Sequence, residues 1–231
     1  MRQFFKAGIL TGLLISITSC ALLTMLPGAH LILPSHHYYA YDIQAENPQP
    51  TFTKVHSTQQ DNEKHRWLQL ENNDINFRLN VRNMRITMQL SNKTDKPIKI
   101  HWPESSIKIN KQDQEPLVAS SSTLSNLQNP GFPQTASILP AKKTTLVHIY
   151  PHSLSEWQTF TNSSTGYWKS THYLWSKGPQ EGQSTQDMQA DADLAIGKML
   201  EITLPLFIGG RKETFVFNLQ VKATAIHKAT W

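Results

Sequence analysis

Few side chains in this sequence fall at spacings that could carry covalent or metal chemistry, and geometry argues against most of them. Ser105-Ser106-Ile107-Lys108 has the Ser-x-x-Lys spacing of a nucleophile and its base. That pairing works when the motif opens a helix, where residues three apart share a face. Ile107 and Ile109 alternate with polar neighbours, which predicts a strand instead. His148 and His152 flank Tyr150-Pro151; four residues along a strand separates them by about 13 Å, too far to share one metal ion. His36-His37 would need further ligands that the sequence does not place. Asp187, Asp191 and Asp193 lack the glycine and distal Glu of a calcium loop and read as a solvated acidic loop. No His-Glu-x-x-His, Gly-x-Ser-x-Gly, phosphate-loop or dinucleotide glycine pattern occurs. The expectation is therefore a protein with no catalytic residues, no metal and no cofactor.

The aromatic residues are more informative. Tyr150, Trp157, Phe160, Tyr167, Trp168, Tyr173 and Trp175 fall close together, and all but Tyr150 lie in a segment otherwise rich in Ser, Thr and Gln. Ring faces flanked by amides can pack on the apolar faces of sugars, so Trp157, Tyr167, Trp168, Tyr173 and Trp175 are candidate ligand-binding residues. The competing reading, which the usual burial of Trp favours, is that the rings pin this segment onto the body.

The one other residue with distinctive chemistry is Cys20, the sole cysteine. It excludes an intramolecular disulfide framework and any multi-cysteine metal site. Arg2 and Lys6 precede an uncharged run from Ala7 to Ser19, the pattern of an export signal. The run ends in Ile17-Thr18-Ser19-Cys20, which resembles the lipobox of bacterial lipoproteins. The resemblance implies a signal peptide over residues 1–19 and lipidation of Cys20, and Ala21 in place of Asp implies sorting to the outer membrane. Several acyl chains suffice for stable anchoring. The chain stays apolar to Leu33, though Pro27-Gly28 interrupts it, so an uncleaved anchor in the inner membrane is the rival expectation.

Residues 20–65 read as a lipid-anchored N-terminal segment and linker, polar and proline-bearing from Pro34 onward. From Trp67 the pattern becomes period two. Leu68 and Leu70 alternate, then Ile75, Phe77 and Leu79, then Met84, Ile86, Met88 and Leu90. After the turn at Asn92–Pro97 come Ile98, Ile100 and Trp102, read as the hairpin partner of the preceding strand. Leu200, Ile202, Leu204 and Leu206 alternate up to Gly209-Gly210, a reversal, and Phe215, Phe217 and Leu219 alternate beyond it. The expected fold is all-β: an antiparallel immunoglobulin-like β-sandwich over residues 66–231, with a loop-rich insertion at 157–197 holding one short helix near Asp187 to Ile196. The segment from Leu90 to Trp102 loosely resembles uncharacterised secreted bacterial sandwich domains, and that likeness implies no function.

The chain has 231 residues, with 22 Lys and Arg against 17 Asp and Glu. Two of the positive charges belong to the leader, which leaves too little basic excess for a nucleic-acid binder. The expected partners are the membrane, through the lipid anchor, and an envelope protein or glycan. The expected role is non-enzymatic binding or scaffolding, with glycan or peptidoglycan binding through the insertion aromatics as the alternative.

Overall fold

The computed structural model of the chain describes residues 37–59, 66–120, 134–160 and 166–228. The chain divides into two units, Met1–Ser35 and His36–Trp231. The first unit, which holds Cys20 and the stretch expected to be an export signal, lies outside the described residues. Among the described residues no helix is long and apolar enough to cross a membrane.

Strand β1 is His37–Ala45, β2 Lys54–Gln59, β3 Arg66–Glu71, β4 Ile75–Arg82, β5 Arg85–Asn92, β6 Ile98–Ile100 and β7 Ser106–Ile109. Then come β8 (Glu115–Ala119), β9 (Ser137–Leu139), β10 (Thr144–Pro151), β11 (Ser155–Thr159) and β12 (Gly166–Ser170). Helix α1 (Thr185–Asp193) precedes β13 (Met199–Ile208) and β14 (Arg211–Lys228). The described strand pairs are all antiparallel, so the protein is all-β as its alternation predicts.

Where an immunoglobulin-like sandwich of two separate sheets was expected, one sheet closes on itself. The ladder runs β1–β14–β13–β7–β8–β10–β5–β4 and returns to β1 through Ala40↔Arg82 and Tyr41↔Val81, an eight-stranded barrel. Closure depends on strands that change partner along their length. One edge of β4 pairs with β3 at Asn76 to Leu79 and with β1 at Val81 and Arg82. One edge of β13 pairs with β7 at Leu200 to Thr203 and with β6 at Leu206 to Ile208. Closing a sheet removes the exposed edges that invite aggregation.

Period-two alternation decides which side chains fill the interior. Ile75, Phe77, Leu79 and Val81 of β4 and Ile86, Met88 and Leu90 of β5 are fully buried, as are Phe215, Phe217 and Leu219 of β14. Phe77 packs on Phe215 and Phe217 with ring centroids 5.0 and 4.9 Å away. The β13–β14 hairpin turns at Gly209 and Gly210, with φ of 58° and 85°. Two residues at positive φ match the strand twist, and glycine reaches that region without steric penalty. Helix α1 begins where Ser184 Oγ accepts a hydrogen bond from the Asp187 backbone N–H at 3.1 Å. It turns Met188 and Ala192 into the core, and Ala195 follows one turn later.

Three expectations are corrected. Residues 37–59 are not linker: β1 pairs with β14 along its whole length, and β2 pairs with β3. Met84 is not a core residue but sits exposed in the two-residue turn between β4 and β5. Strand β6 is not the hairpin partner of β5; it lies between β13 and β9. The cause is buried Asn92, whose Nδ2 donates to the carbonyls of Lys96, Leu139 and Pro140 while its Oδ1 accepts from the Thr94 backbone N–H. This side chain ties the turn to the end of β9 and carries the chain away from β5.

Candidate functional site

Every second residue of β4 and β5 points away from the core, and strand register arranges these residues in rungs. Arg82 lies opposite Arg85, Asn80 opposite Thr87 and Arg78 opposite Gln89. Strand β10 sets His148 opposite Thr87, and two residues on it presents Tyr150, which pairs with Val118 of β8. Strand β1 sets Ala40 opposite Arg82, with Tyr38 two residues before it and Asp42 two after. The outer face thus carries one rung of Ala40, Arg82 and Arg85 leading to Tyr150 and Val118, beside a second rung of Asn80, Thr87 and His148.

Side chains on this face hold one another in place. Arg78 Nη1 donates to Gln89 Oε1 at 3.2 Å, and its guanidinium lies 5.2 Å over the Trp67 ring. Arg82 Nε donates to Asn80 Oδ1 at 3.3 Å, and its guanidinium lies 4.6 Å over the Tyr38 ring, which stacks on His227. Thr87 Oγ1 and His148 Nδ1 are 3.2 Å apart. Arg85 differs: among the described residues it makes no hydrogen bond or ion pair, although it is half-buried. Its electrostatic neighbours are Arg82, Tyr150 and Tyr38. Two like charges directly opposite on adjacent strands oppose folding. The turn between them is nonetheless held firmly, because the Asn83 backbone N–H donates to Tyr39 and the Asn83 carbonyl accepts from Leu174. Burial, then the two guanidinium groups of Arg85 and Arg82, holds His148 below the usual histidine range. Burial raises the Tyr150 phenol, and Arg85 opposes the rise.

The hairpin β11–β12 adjoins this face. Trp157 and Trp168 are register partners with ring centroids 5.5 Å apart, edge to face. Trp168 is buried in a small cluster with Val118 and Tyr150, and half-buried Trp157 packs against it. The base of the hairpin is fixed by the Thr171 N–H donating to the Leu154 carbonyl. Tyr167 is exposed, packs 5.5 Å from exposed Phe160, and donates to Gln158 Oε1 at 3.0 Å.

Tyr173 and Trp175 are not brought to the hairpin. Half-buried Trp175 packs against the core and meets Tyr41 edge-on at 4.9 Å, with Asp191 of α1 close to the same phenol. Tyr39 and Tyr41 are sealed from solvent, and among the described residues neither phenol oxygen has a close hydrogen-bond partner, although Asp191 stands beside Tyr39 and Ser176 beside Tyr41; Trp175 Nε1 and Asp191 Oδ2 likewise have none. Burial, then Asp191, holds the Tyr39 phenol well above the usual range. Burial pushes Tyr41 up to about 12, with a partial offset from Ser176. Cys20 lies outside the described residues.

The aromatic candidates therefore separate into an outer pair at the hairpin, an exposed ring on its surface and an inner group at α1. The arginine rung was missed because the strand was read as starting at Met84. Had Asn83-Met84 been read as the turn, Arg82 and Arg85 would have fallen opposite each other.

No protein-family model, no curated protein and no solved structure matches this chain.

Proposed function

We propose that this chain is a lipid-anchored protein of the bacterial envelope, tethered through Cys20, whose barrel is a non-enzymatic binding module. Ile17-Thr18-Ser19-Cys20 supports the tether, and Ala21 supports the outer membrane as its destination. The observation that supports binding is Arg85, half-buried on this face with no hydrogen bond or ion pair among the described residues, which folding alone does not account for. The partner is another envelope component, and it approaches the outer face of β4, β5 and β10 beside the β11–β12 hairpin.

Two experiments test this. Cys20→Ala should abolish acyl labelling and lipoprotein processing, and membrane attachment that persists with the leader intact would favour the uncleaved inner-membrane anchor. A photo-crosslinking residue at Gln89, in the full chain in intact cells, should capture an envelope component that the same residue at Glu213 of β14 does not. Equal capture at both positions would refute the assignment of the face.

The exposed Phe160–Tyr167 pair favours a second reading, a glycan or peptidoglycan strand stacking on the hairpin. Soluble glycan strands should then bind wild-type protein and bind Tyr167→Ala more weakly, with unfolding temperature unchanged. Buried Trp168 belongs to the packing of the hairpin and is not available for stacking.

A further inference from the structure

Arg85 opens β5 at one end of the outer face, directly after exposed Met84 in the turn from β4. It is half-buried and makes no hydrogen bond or ion pair among the described residues. A guanidinium carries five N–H donors and no acceptor, so partial burial shields strong donors from water and gives them nothing in return. The electrostatic neighbours of Arg85 are Arg82, Tyr150 and Tyr38, and none of them is a carboxylate. Arg82 and Asp42 are both engaged elsewhere. Arg82 Nε donates to Asn80 Oδ1, its guanidinium lies over the Tyr38 ring, and both residues have other interactions besides.

Tyr150 follows Ile149, the register partner of Ile86, and so stands beside Arg85. Its ring is packed with Val118 and Trp168, which fixes its position, and its phenol makes no hydrogen bond among the described residues. His148, one rung in, has Nδ1 beside Thr87 Oγ1. Its imidazole titrates below the usual histidine range, through burial and then the two guanidinium groups, so it adds no charge at neutral pH. The face therefore presents one unpaired positive charge with a fork of donors, and beside it a phenolic O–H on a fixed ring. A phosphate monoester carries nearly two negative charges and would leave one unmet, because Arg82 is committed. A carboxylate carries one negative charge on a planar pair of oxygens, the shape an arginine fork takes bidentately. Its remaining lone pairs can accept from a phenol. Both groups stand on strands, which holds them to a narrow geometry.

We infer that Arg85, with Tyr150 beside it, is a binding site for a carboxylate group, carried either by an acidic segment of a protein or by a small organic acid. The inference rests on the reading of this face as a binding surface and names the chemistry it recognises. It asks nothing of Arg82 beyond the contacts that residue already makes. Binding supplies the half-buried guanidinium with charge-assisted hydrogen bonds, so the ligated chain is the more stable one.

The test uses the full-length protein in a neutral detergent, isotope-labelled and read by NMR. Sodium acetate should shift the backbone amide signals of Met84 and Tyr150 saturably, and sodium chloride at the same ionic strength should not. Arg85→Gln should weaken acetate binding by more than about tenfold, the loss expected for a charge-assisted hydrogen bond. Arg85→Lys keeps the charge without the fork and should fall between the two. Tyr150→Phe keeps the ring and should weaken binding by about fivefold, the loss of one ordinary hydrogen bond. Arg85→Gln without acetate should unfold no earlier than wild type, which separates lost binding from lost folding. Equal acetate binding by wild type and Arg85→Gln, equal shifts from chloride, or no binding by wild type would overturn the site. Tighter binding of sulfate than of acetate would also overturn it, by showing a second unpaired charge on this face. Capture from Gln89 in intact cells then separates the sources. If Arg85→Gln lowers capture, the carboxylate belongs to the captured component. If Arg85→Gln loses acetate binding and leaves capture unchanged, the ligand is a small acid. Acetate binding by a wild-type chain that captures nothing from Gln89 would sink the partner reading alone, and capture without acetate binding would sink the carboxylate site alone.

Discussion

The arginine rung on the outer face and the phenol cluster inside the barrel both remove polar groups from water, and they do so in opposite ways. Inside, Tyr39 and Tyr41 are sealed against Trp175 and α1, and their hydroxyls find no close partner among the described residues. Outside, Arg82, Arg85 and His148 are only half-buried, and an approaching molecule can reach them. The inner rings repay their burial through apolar area, so an unpartnered hydroxyl there is a tolerated defect. The outer arginines are half-buried, and Arg82 is held by Asn80 and the Tyr38 ring, whereas Arg85 makes no hydrogen bond or ion pair among the described residues. Filling space accounts for the inner rings and does not account for Arg85.

The comparison can be strained most severely from the inside. Tyr41→Ala should destabilise the full chain by about 3–5 kcal/mol, as for other buried aromatics, because it removes the ring that Trp175 packs on. Chemical denaturation with unchanged slope would measure it, and a loss under about 1 kcal/mol would mean that the inner cluster is not part of the packing.

A smaller effect of opposite sign sharpens the contrast. Tyr39→Phe keeps the ring and deletes a sealed hydroxyl that has no close partner among the described residues, so stability should rise by about 1 kcal/mol. A clear loss would show that the hydroxyl is engaged and that the cluster is a polar network. The two phenols also give a signature in alkali. Their pKa values are raised in the folded chain, so the stability they contribute is complete below the ordinary phenol range near 10 and is lost as pH rises above it. Phenolate absorbance should show at least two tyrosines that ionise only as the protein unfolds.

The outer face should respond to acid, and more weakly. Burial and the two arginines depress His148 in the folded chain, so the unfolded chain takes up the proton first as pH falls through the ordinary histidine range near 6.5. Unfolding temperature should therefore decline below that pH, and His148→Gln should flatten that part of the profile.

Most of the strands were legible in the sequence, because period-two alternation survives wherever one face of a strand meets the core, but their closure into a barrel was not, and a two-sheet sandwich was expected in its place. Ile86, Met88 and Leu90, and Phe215, Phe217 and Leu219, were readable for that reason. Strand β1 was not, because Tyr38-Tyr39-Ala40-Tyr41 places tyrosine on both faces and hides the alternation. Pairing was less legible than strandedness: nothing in the period of Ile98 and Ile100 says that Asn92 will direct them to β9 and β13. The aromatic segment was visible as a cluster but not as two destinations, since composition does not tell which rings α1 will carry inward. The arginine rung depended on a strand boundary shifted by one residue, and such boundaries are the weakest part of any reading from pattern.

Thermal unfolding of full-length Arg85→Gln tests most directly whether Arg85, which makes no hydrogen bond or ion pair among the described residues, is there for folding. The expected result is a variant at least as stable as wild type. A variant that unfolds well below wild type would make Arg85 a structural residue and remove the ground for a binding face here.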